Sequence, residues 1–219
     1  MILPFINNIK LNCKNKIEGL SLLSQINSNS IKLAFFDPQY RGILDKLQYG
    51  NEGVSRGKAR HNLPQMSEEV IISFISELNR VISKSGHLFL WIDKYHLCQG
   101  VSSWLKDTDF NVVDLIVWDK LKIGMGYRSR RRSEYLLILQ KSPVRVKNIW
   151  KDHSIPDVWS EKTIKVHPHS KPIELQKRLI EAVTDENDIV LDPAAGGYSV
   201  LQACLQCKRN FIGGDLIYG

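Results

Sequence analysis

Three short turns in the sequence place an aspartate next to proline or glycine, and each follows a short apolar run. The turns are Asp37-Pro38-Gln39-Tyr40, Asp192-Pro193-Ala194-Ala195-Gly196-Gly197 and Gly213-Gly214-Asp215. An apolar run that stops at turn residues is typical of a buried strand, and ligands of open parallel sheets bind beyond the carboxyl ends of such strands. The pattern therefore predicts that all three turns contribute to one ligand site.

The first turn has the groups needed to activate an exocyclic amine of a nucleic-acid base. Such an amine is a poor nucleophile because its lone pair is delocalised into the ring. The Asp37 carboxylate and the backbone carbonyl after Pro38 can accept hydrogen bonds from the amine and stabilise the charge that develops on it. Tyr40 offers an aromatic face for a base that has left the stack. A plain Asp-Pro turn with a packed tyrosine is the structural alternative.

The second and third turns together are typical of a site for a nucleoside cofactor. Gly196 and Gly197 let a ligand approach the backbone closely, because glycine has no side chain. Asp215 follows Asp192 by 23 positions, a spacing typical of an acidic residue that binds ribose hydroxyls. The loop lacks the G-x-G-x-x-G pattern, which disfavours a dinucleotide. A structural β-α-β turn with a surface aspartate is the alternative.

Strand and helix signals alternate along the chain. Ser67 followed by Glu68 and Glu69 is a typical helix start, and Gly86 is the predicted end of that helix. The alternation predicts an α/β fold, with one domain over residues 1–219 and a doubly wound, mainly parallel sheet. The predicted strands are 31–36, 87–92, 110–118, 133–140, 188–191 and 211–216, and the predicted helices are 67–86, 95–105, 172–184 and 198–208.

The composition is that of a globular protein of the cytoplasm. The 219 residues, 43% hydrophobic and 24% charged, suffice for one domain with its own core. There is no apolar run of the roughly 18 residues that span a membrane, and no basic leader of a signal peptide. Cys204 and Cys207 form a C-x-x-C pair, but no second pair has metal-ligand spacing. We therefore expect buried thiols and no metal site.

Positive charge is concentrated in three segments that have the residue types of loops. The net charge is +7, and the basic residues cluster in 41–61, 127–132 and 143–165. Charge placed in loops suits contacts to phosphates better than charge spread over a surface. Segment 41–65 is long for a loop in a compact domain, and we expect it to be mobile and functional. Solvated basic loops are the alternative.

Taken together, these segments resemble the β-class DNA amino-methyltransferases, which use S-adenosylmethionine to methylate N6 of adenine or N4 of cytosine. The resemblance covers residues 11–216, and its motif order, with the catalytic turn before the cofactor loop, is diagnostic. The matching segments are Asp37-Pro38-Gln39-Tyr40 (catalytic D-P-P-Y), 118–134 (W-x-K…R…E), 167–172 (H-P-x-x-K-P), 190–197 (cofactor loop D-P-F-x-G-S-G-T) and 211–215 (the strand whose acidic end holds the ribose).

The resemblance implies a Rossmann-like methyltransferase fold with a seven-stranded type of sheet, and adenine N6 in DNA as the target. Adenine is favoured because the N4-cytosine members more often begin the catalytic motif with Ser. None of the cysteines lies in a motif suited to C5-cytosine chemistry. The alternatives are N4-cytosine methylation, an RNA amino-methyltransferase, and a non-catalytic nucleic-acid-binding subunit with the same fold. A nucleotide-binding regulator is the least supported.

The resemblance also assigns roles to individual residues. The catalytic turn consists of Asp37, Pro38, Gln39 and Tyr40. The cofactor residues are Phe36, Ser170, Lys171, Asp192, Pro193, Ala194, Gly196, Gly197, Ser199 and Asp215. The expected DNA contacts are Arg41, Arg56, Lys58, Arg60, Lys120, Arg128, Arg130, Arg131 and Arg132. Residues 119–166 would form a basic DNA-contact region with a short target-recognition part, so a homodimer or a separate restriction or recognition subunit is a hypothesis for a further partner.

Four positions depart from the family pattern, and one of them is Val200, which replaces a threonine of the cofactor loop. Gln39 replaces the second proline of the catalytic motif, which predicts a less rigid turn with its carbonyl still available. Tyr198 stands where the family has a second loop glycine, and we expect its side chain to crowd the approach of the cofactor. Asn15 lies where the family often has an aspartate near the adenine of the cofactor. Gln39 and Tyr198 motivate the non-catalytic alternative.

Overall fold

The computed structural model describes residues 9–39, 66–124, 129–162 and 171–219. The strands are β1 (Ile31–Phe36), β2 (Ile82–Ile92), β3 (Phe110–Asp119), β4 (Ser133–Lys141), β5 (Val158–Ser160), β6 (Ile189–Asp192) and β7 (Asn210–Gly213). The helices in the described parts are α1 (Gly19–Leu23), α2 (Glu68–Val81), α3 (Lys94–Gln99), α4 (Ser102–Leu105), α5 (Ile173–Val183) and α6 (Ser199–Gln206).

The strands form one sheet in the order β5-β3-β4-β2-β1-β6-β7. β1 pairs in parallel with β2 and β6, β6 with β7, and β3 with β5. β4 is antiparallel to both of its neighbours, β2 and β3. The other six strands therefore run in one direction and end at one edge of the sheet, where β4 begins. This arrangement confirms the prediction of a mainly parallel sheet.

Helices cover both faces of the sheet, as the prediction of a doubly wound fold requires. On one face Phe36 packs against Phe74 of α2, with 5.0 Å between the ring centroids. On the other face Phe35 belongs to the core that α5 and α6 complete through Leu179 and Cys204. Successive residues of a strand point to opposite faces, so a continuous apolar run such as β1 feeds two cores.

The boundary between α2 and β2 differs from the prediction. The helix ends at Val81 rather than at Gly86, and the strand starts at Ile82. β2 contains an irregularity, because Ile31 pairs with Ile82 whereas Leu33 pairs with His87. A side chain at Gly86 would come within 2.8 Å of the Lys32 carbonyl oxygen. The glycine therefore permits close approach of β1 at this bulge and does not cap the helix.

Two other elements also depart from the prediction. The helix expected over 95–105 is divided into α3 and α4 by Gly100, whose φ of +82° favours glycine over other residues. β7 stops at Gly213 rather than at 216, because the Asp215 carboxylate accepts hydrogen bonds from the next backbone N–H groups and forms a turn. β5 was not predicted from the sequence. It lies in a stretch without apolar periodicity, and a strand of three residues is too short to show a period.

The prediction of buried thiols at Cys204 and Cys207 is confirmed, because both are free and buried. Among the described residues no group of histidines, cysteines and acidic residues is arranged to hold a metal ion. No helix in the described parts of the chain is long and apolar enough to cross a membrane.

His87 provides a test of the core by pH. Its ring is buried beside Phe89 and Trp150, and burial lowers its pKa from 6.5 to about 4. The unfolded chain takes up this proton near pH 6.5 and the folded chain only near pH 4. Stability that is present above pH 6.5 is therefore lost as the pH falls toward 4. We expect the free energy of unfolding to fall by about 2 kcal/mol between pH 7.5 and 5 from this group alone.

The measurement is urea unfolding of the native chain and of His87→Leu at both pH values. The variant should lack that part of the pH dependence, whereas substitution of the exposed His153 by Leu should retain it. Equal pH dependence in the native chain and His87→Leu would contradict the assignment.

Candidate active site

The three predicted turns meet at the edge of the sheet where the parallel strands end. Asp37 follows β1, Asp192 ends β6 and Asp215 lies two residues beyond β7. β1 and β6 are neighbours, and the helices that follow them, α2 and α6, cover opposite faces. This divergence opens a crevice at the switch point of the sheet, where doubly wound proteins bind ligands.

The predicted catalytic turn is anchored to the start of α2. The Gln39 carbonyl oxygen accepts a hydrogen bond of 2.7 Å from the backbone N–H of Met66, just before the Ser67 cap. A carbonyl oxygen has two lone pairs, so this contact leaves one for a further donor. Pro38 is buried and Asp37 is partly exposed. This hydrogen bond anchors the turn at Gln39, and Tyr40 lies outside the described residues.

A buried ammonium group holds the Asp37 carboxylate. Lys171 Nζ lies 2.9 Å from Asp37 Oδ2 and 2.9 Å from Glu134 Oε2, and its side chain is only 13% exposed. The same ammonium lies over the Trp91 ring, 4.9 Å from the centroid. Burial acts to lower the pKa of Lys171, but the charges of Asp37 and Glu134 outweigh it and raise the pKa above its ordinary value. Lys171 is therefore a cation at every pH at which the protein works.

Glu134 links this cation to a second lysine. Its other oxygen, Oε1, forms a short ion pair with the ammonium of Lys120. Burial acts to raise the pKa of Glu134, but the charges of Lys171 and Lys120 lower it to about 2. Lys120, Glu134, Lys171 and Asp37 thus form a continuous row of alternating charges, which we call the ion-pair chain.

The predicted cofactor loop carries a buried carboxyl group with a raised pKa. Asp192 is 6% exposed and accepts a hydrogen bond of 3.2 Å from the backbone N–H of Ala194. Burial raises its pKa from 3.8 to about 7, and the negative charges of Asp37 and Asp215 act in the same direction. Three carboxyl groups therefore crowd the crevice with one ammonium, Lys171, among them. Such a crevice is suited to a ligand that brings positive charge.

Tyr198 does not crowd the loop, contrary to expectation. Its backbone is left-handed (φ 57°, ψ 35°), a conformation that glycine adopts more readily than other residues. The ring is 1% exposed and packs in the core against Phe211, with 6.0 Å between centroids. Its hydroxyl donates to the Asn15 carbonyl oxygen at 3.2 Å. The side chain lies beneath the loop and ties it to the N-terminal segment.

Asn15 and Asp215 form the other wall of the predicted cofactor site. The Asn15 carbonyl oxygen accepts the backbone N–H of Asp215 at 3.1 Å, and the Asn15 side chain donates to the Gly213 carbonyl oxygen at 3.0 Å. Asp215 Oδ1 accepts the backbone N–H groups of Ile217 and Tyr218. The carboxylate is thereby held in one orientation, and Oδ2 takes no part in that turn.

The remaining predicted cofactor residues have mixed surroundings. Phe36 is completely buried against Phe74, so its ring has no surface left for a cofactor in this structure. Pro193 and Ser199 are also buried, whereas Ala194, Gly196 and Gly197 are partly exposed along the loop. Ser170 lies outside the described residues. The loop backbone is thus the part that a ligand can reach.

The predicted DNA contacts divide into paired and exposed groups. Arg132 makes a two-pronged ion pair with Asp119, at 2.6 and 2.7 Å, and Lys120 is engaged by Glu134. Arg130 and Arg131 are exposed on the same connection between β3 and β4. The structure therefore offers Arg130 and Arg131 more readily to phosphates than the other two. Arg41, Arg56, Lys58, Arg60 and Arg128 lie outside the described residues, as does the predicted loop 41–65.

Sequence reasoning assigned no role to Glu134 or Glu161. Glu161 accepts the backbone N–H groups of Glu174 at 3.2 Å and Leu175 at 3.1 Å, so it caps α5 immediately after Lys171. It also accepts the indole N–H of Trp159 at 2.7 Å. The sequence signal that could have identified Glu134 is its place in the family-like segment 118–134. No sequence signal identified Glu161, because it caps α5 from a distant part of the chain.

Residues 31–217 match the N6/N4 methyltransferase family, whose members are DNA methylases. Type II methyltransferase M.HhaII of Haemophilus parahaemolyticus is 58% identical over 211 residues, which cover 95% of this chain and 92% of that protein. Type II methyltransferase M2.MboI of Moraxella bovis is 26% identical, over 89% of this chain and 79% of its own length.

Solved structures show the same fold at low identity. The cytosine-N4-specific PvuII DNA methyltransferase superimposes with a TM-score of 0.72 at 15% identity, over 95% of this chain and 86% of its own. The M1.HpyAVI–SAM complex gives a TM-score of 0.60 at 20% identity, over 85% and 82% of the two chains. The family match spans the sheet, the predicted catalytic turn and the predicted cofactor loop, and the chain therefore belongs to the N6/N4 family of DNA methylases.

Proposed function

We propose that this chain transfers a methyl group from S-adenosylmethionine to N6 of an adenine that has left the DNA stack. The carrying observation is the Asp37 carboxylate at the end of β1, which is ion-paired to Lys171 and lies beside the Asp192 loop. A chain 58% identical to this one is named a Type II methyltransferase. That name supports a role in the modification half of a restriction-modification pair.

The charge of the crevice suits S-adenosylmethionine. This cofactor supplies a methyl group on a sulfonium cation and also carries an ammonium and a ribose. Asp192 and Asp215 give the crevice the negative charge that those cations need. The partly exposed backbone of Ala194, Gly196 and Gly197 permits close approach. The fixed Asp215 carboxylate would hold the ribose hydroxyls, as its position after β7 predicts.

The protein contributes position and charge rather than a covalent intermediate. The Asp37 carboxylate and the free lone pair of the Gln39 carbonyl accept hydrogen bonds from the two amine protons of the base. These contacts direct the nitrogen lone pair toward the methyl group and stabilise the positive charge that develops. Lys171 holds the Asp37 carboxylate through an ion pair of 2.9 Å to Oδ2.

Adenine is favoured over cytosine because the catalytic turn begins with Asp37 rather than Ser. The similarity to an N4-cytosine enzyme extends only to the fold. The two departures that motivate a non-catalytic subunit are accommodated, since Gln39 is anchored on Met66 and Tyr198 is buried. We further propose that Arg130 and Arg131 contact phosphates. A homodimer or a recognition subunit would supply further DNA contacts, because segment 143–166, where the target-recognition region of the family lies, is short.

The proposed reaction is tested with isotopically labelled S-adenosylmethionine and unmethylated genomic DNA, followed by nucleoside digestion and mass spectrometry. We expect N6-methyladenine from the native chain. Asp37→Ala should lower kcat by about 100-fold or more, because it removes the main acceptor for the amine. Melting temperatures serve as the control for folding.

Other products would correct the proposal in defined ways. N4-methylcytosine would keep the mechanism and change the base. Product from RNA but not from DNA would change the substrate. Binding of the cofactor without any product would favour the non-catalytic subunit.

Asp192 should make the free protein less stable at alkaline pH. Its pKa is raised from 3.8 to about 7 by burial, so the folded state favours the protonated acid and loses this advantage as the pH rises through 7. Asp192→Asn keeps the acceptor for Ala194 and removes the charge. We expect the variant to exceed the native chain in unfolding free energy by about 2–4 kcal/mol at pH 8.5 and by less than half of that at pH 5, where the unfolded acid is ionised but the folded acid is still protonated.

Denaturant unfolding without cofactor at the two pH values checks this expectation. In calorimetric titrations at pH 8.5 the same variant should bind S-adenosylmethionine more weakly, because the carboxylate that faces the cation is gone. A variant that is less stable than the native chain at pH 8.5 would refute the assigned charge.

A further inference from the structure

Glu134 lies outside the three turns and yet contacts Lys171, the lysine that is ion-paired to Asp37. It is the second residue of β4, the strand antiparallel to its neighbours, and Tyr135 next to it pairs with Ile92 at the end of β2. The reversed direction of β4 therefore brings its beginning to the edge where the other strands end. There the Glu134 side chain, 30% exposed, meets the ammonium groups of Lys120 and Lys171.

Both oxygens of Glu134 are engaged by lysines. Oε1 accepts from Lys120 and Oε2 accepts from Lys171 at 2.9 Å. An ionised carboxylate can only accept hydrogen bonds, and the strongest donors within reach are these two cations. Glu134 is thus placed to act on the reaction through a lysine rather than through direct contact with the base.

Lys171 needs a second anchor to hold Asp37 in a fixed position. A lysine side chain has a flexible four-carbon stem and a compact ammonium with three donors. With Asp37 alone, the ammonium would be free to pivot about a single ion pair. Glu134 Oε2 on one side and the face of Trp91, 4.9 Å away, restrict it to one place. The ammonium held in that place lies 2.9 Å from Asp37 Oδ2.

We propose that Glu134 is a positioning residue for methyl transfer, which fixes Lys171 against Asp37 and thereby orients the carboxylate that receives the target amine. The inference rests on the proposed function and adds a residue to its machinery. Lys120 completes the arrangement by neutralising the other oxygen of Glu134. The ion-pair chain also links the catalytic turn to the connection that carries Arg130 and Arg131, since the Lys120 backbone N–H donates to the Arg132 carbonyl oxygen at 3.0 Å.

The test compares Glu134→Gln, Lys171→Met and the double variant in single-turnover methyl transfer, with dissociation constants for S-adenosylmethionine and DNA measured separately. Gln keeps the length of the side chain and loses the charge that holds the lysine. We expect the transfer rate of Glu134→Gln to fall by about 10- to 100-fold, as for a small misplacement of a reacting group. Both dissociation constants should change less than about threefold, which is the small variation expected when a substitution does not touch a binding site.

The double variant distinguishes action through Lys171 from an independent role. If Glu134 acts through the lysine, its substitution should have no further effect once Lys171 is Met, so the double variant should match Lys171→Met. Glu134→Asp keeps the charge and should recover part of the rate. The matched control is Glu186→Gln, at the turn before β6 on the opposite edge of the sheet, which should leave rate and binding unchanged. Melting temperatures show whether each variant is folded.

Each other outcome overturns the inference in its own way. An unchanged rate in Glu134→Gln excludes positioning, and a multiplicative loss in the double variant excludes action through Lys171. A loss confined to DNA affinity assigns Glu134 to DNA binding instead. Absence of product from both the native chain and Glu186→Gln overturns the proposed function itself and the inference with it, which separates that failure from the others.

Discussion

The ion pairs of the buried Lys171 ammonium are the interaction on which the rest of the site depends. A cation that is 13% exposed requires carboxylates around it, and Asp37 and Glu134 supply them at 2.9 Å each. Removing one partner from a buried ion pair typically costs about 3–5 kcal/mol, because the remaining charge is left without compensation. The ion pairs that stabilise this part of the fold therefore also hold the carboxylate that we propose as the acceptor of the target amine.

The direction of the strands explains how these groups meet. Six parallel strands deliver the residues after β1, β3, β6 and β7 to one edge, and the antiparallel β4 delivers its first residues there. α5 begins at the same edge under the cap of Glu161, which places Lys171 two residues before its first turn. Glu134 and Lys171 come from segments 37 residues apart, and Asp37 is farther still. A sheet with a reversed β4 is what makes them neighbours.

Tyr198 and Gln39, which depart from the family pattern, are accommodated by contacts with other parts of the fold. Tyr198 keeps the left-handed backbone of a glycine position, and its ring is accommodated in the core beside Phe211 while its hydroxyl reaches Asn15. Gln39 loses the rigidity of a second proline, and its carbonyl is anchored instead by Met66 at the start of α2. In both cases a contact from another segment of the chain holds the backbone at a position where the residue typical of the family is missing.

The sequence by itself determined the fold class, the family and the three turns, because apolar periodicity, turn residues and motif order are local properties of the chain. It placed Asp37 and the loop at Asp192 at strand ends for the same reason. The end of α2 was predicted wrongly, because Gly86 was interpreted as a helix cap. Gly86 instead lies at the bulge against Lys32, which exists only when β1 and β2 pair. Only the tertiary structure decided that Glu134 binds two lysines, that Glu161 caps α5 and that the Tyr198 ring is buried. Those contacts join residues far apart in the chain, and their partners are set by strand direction and packing, which no local pattern contains.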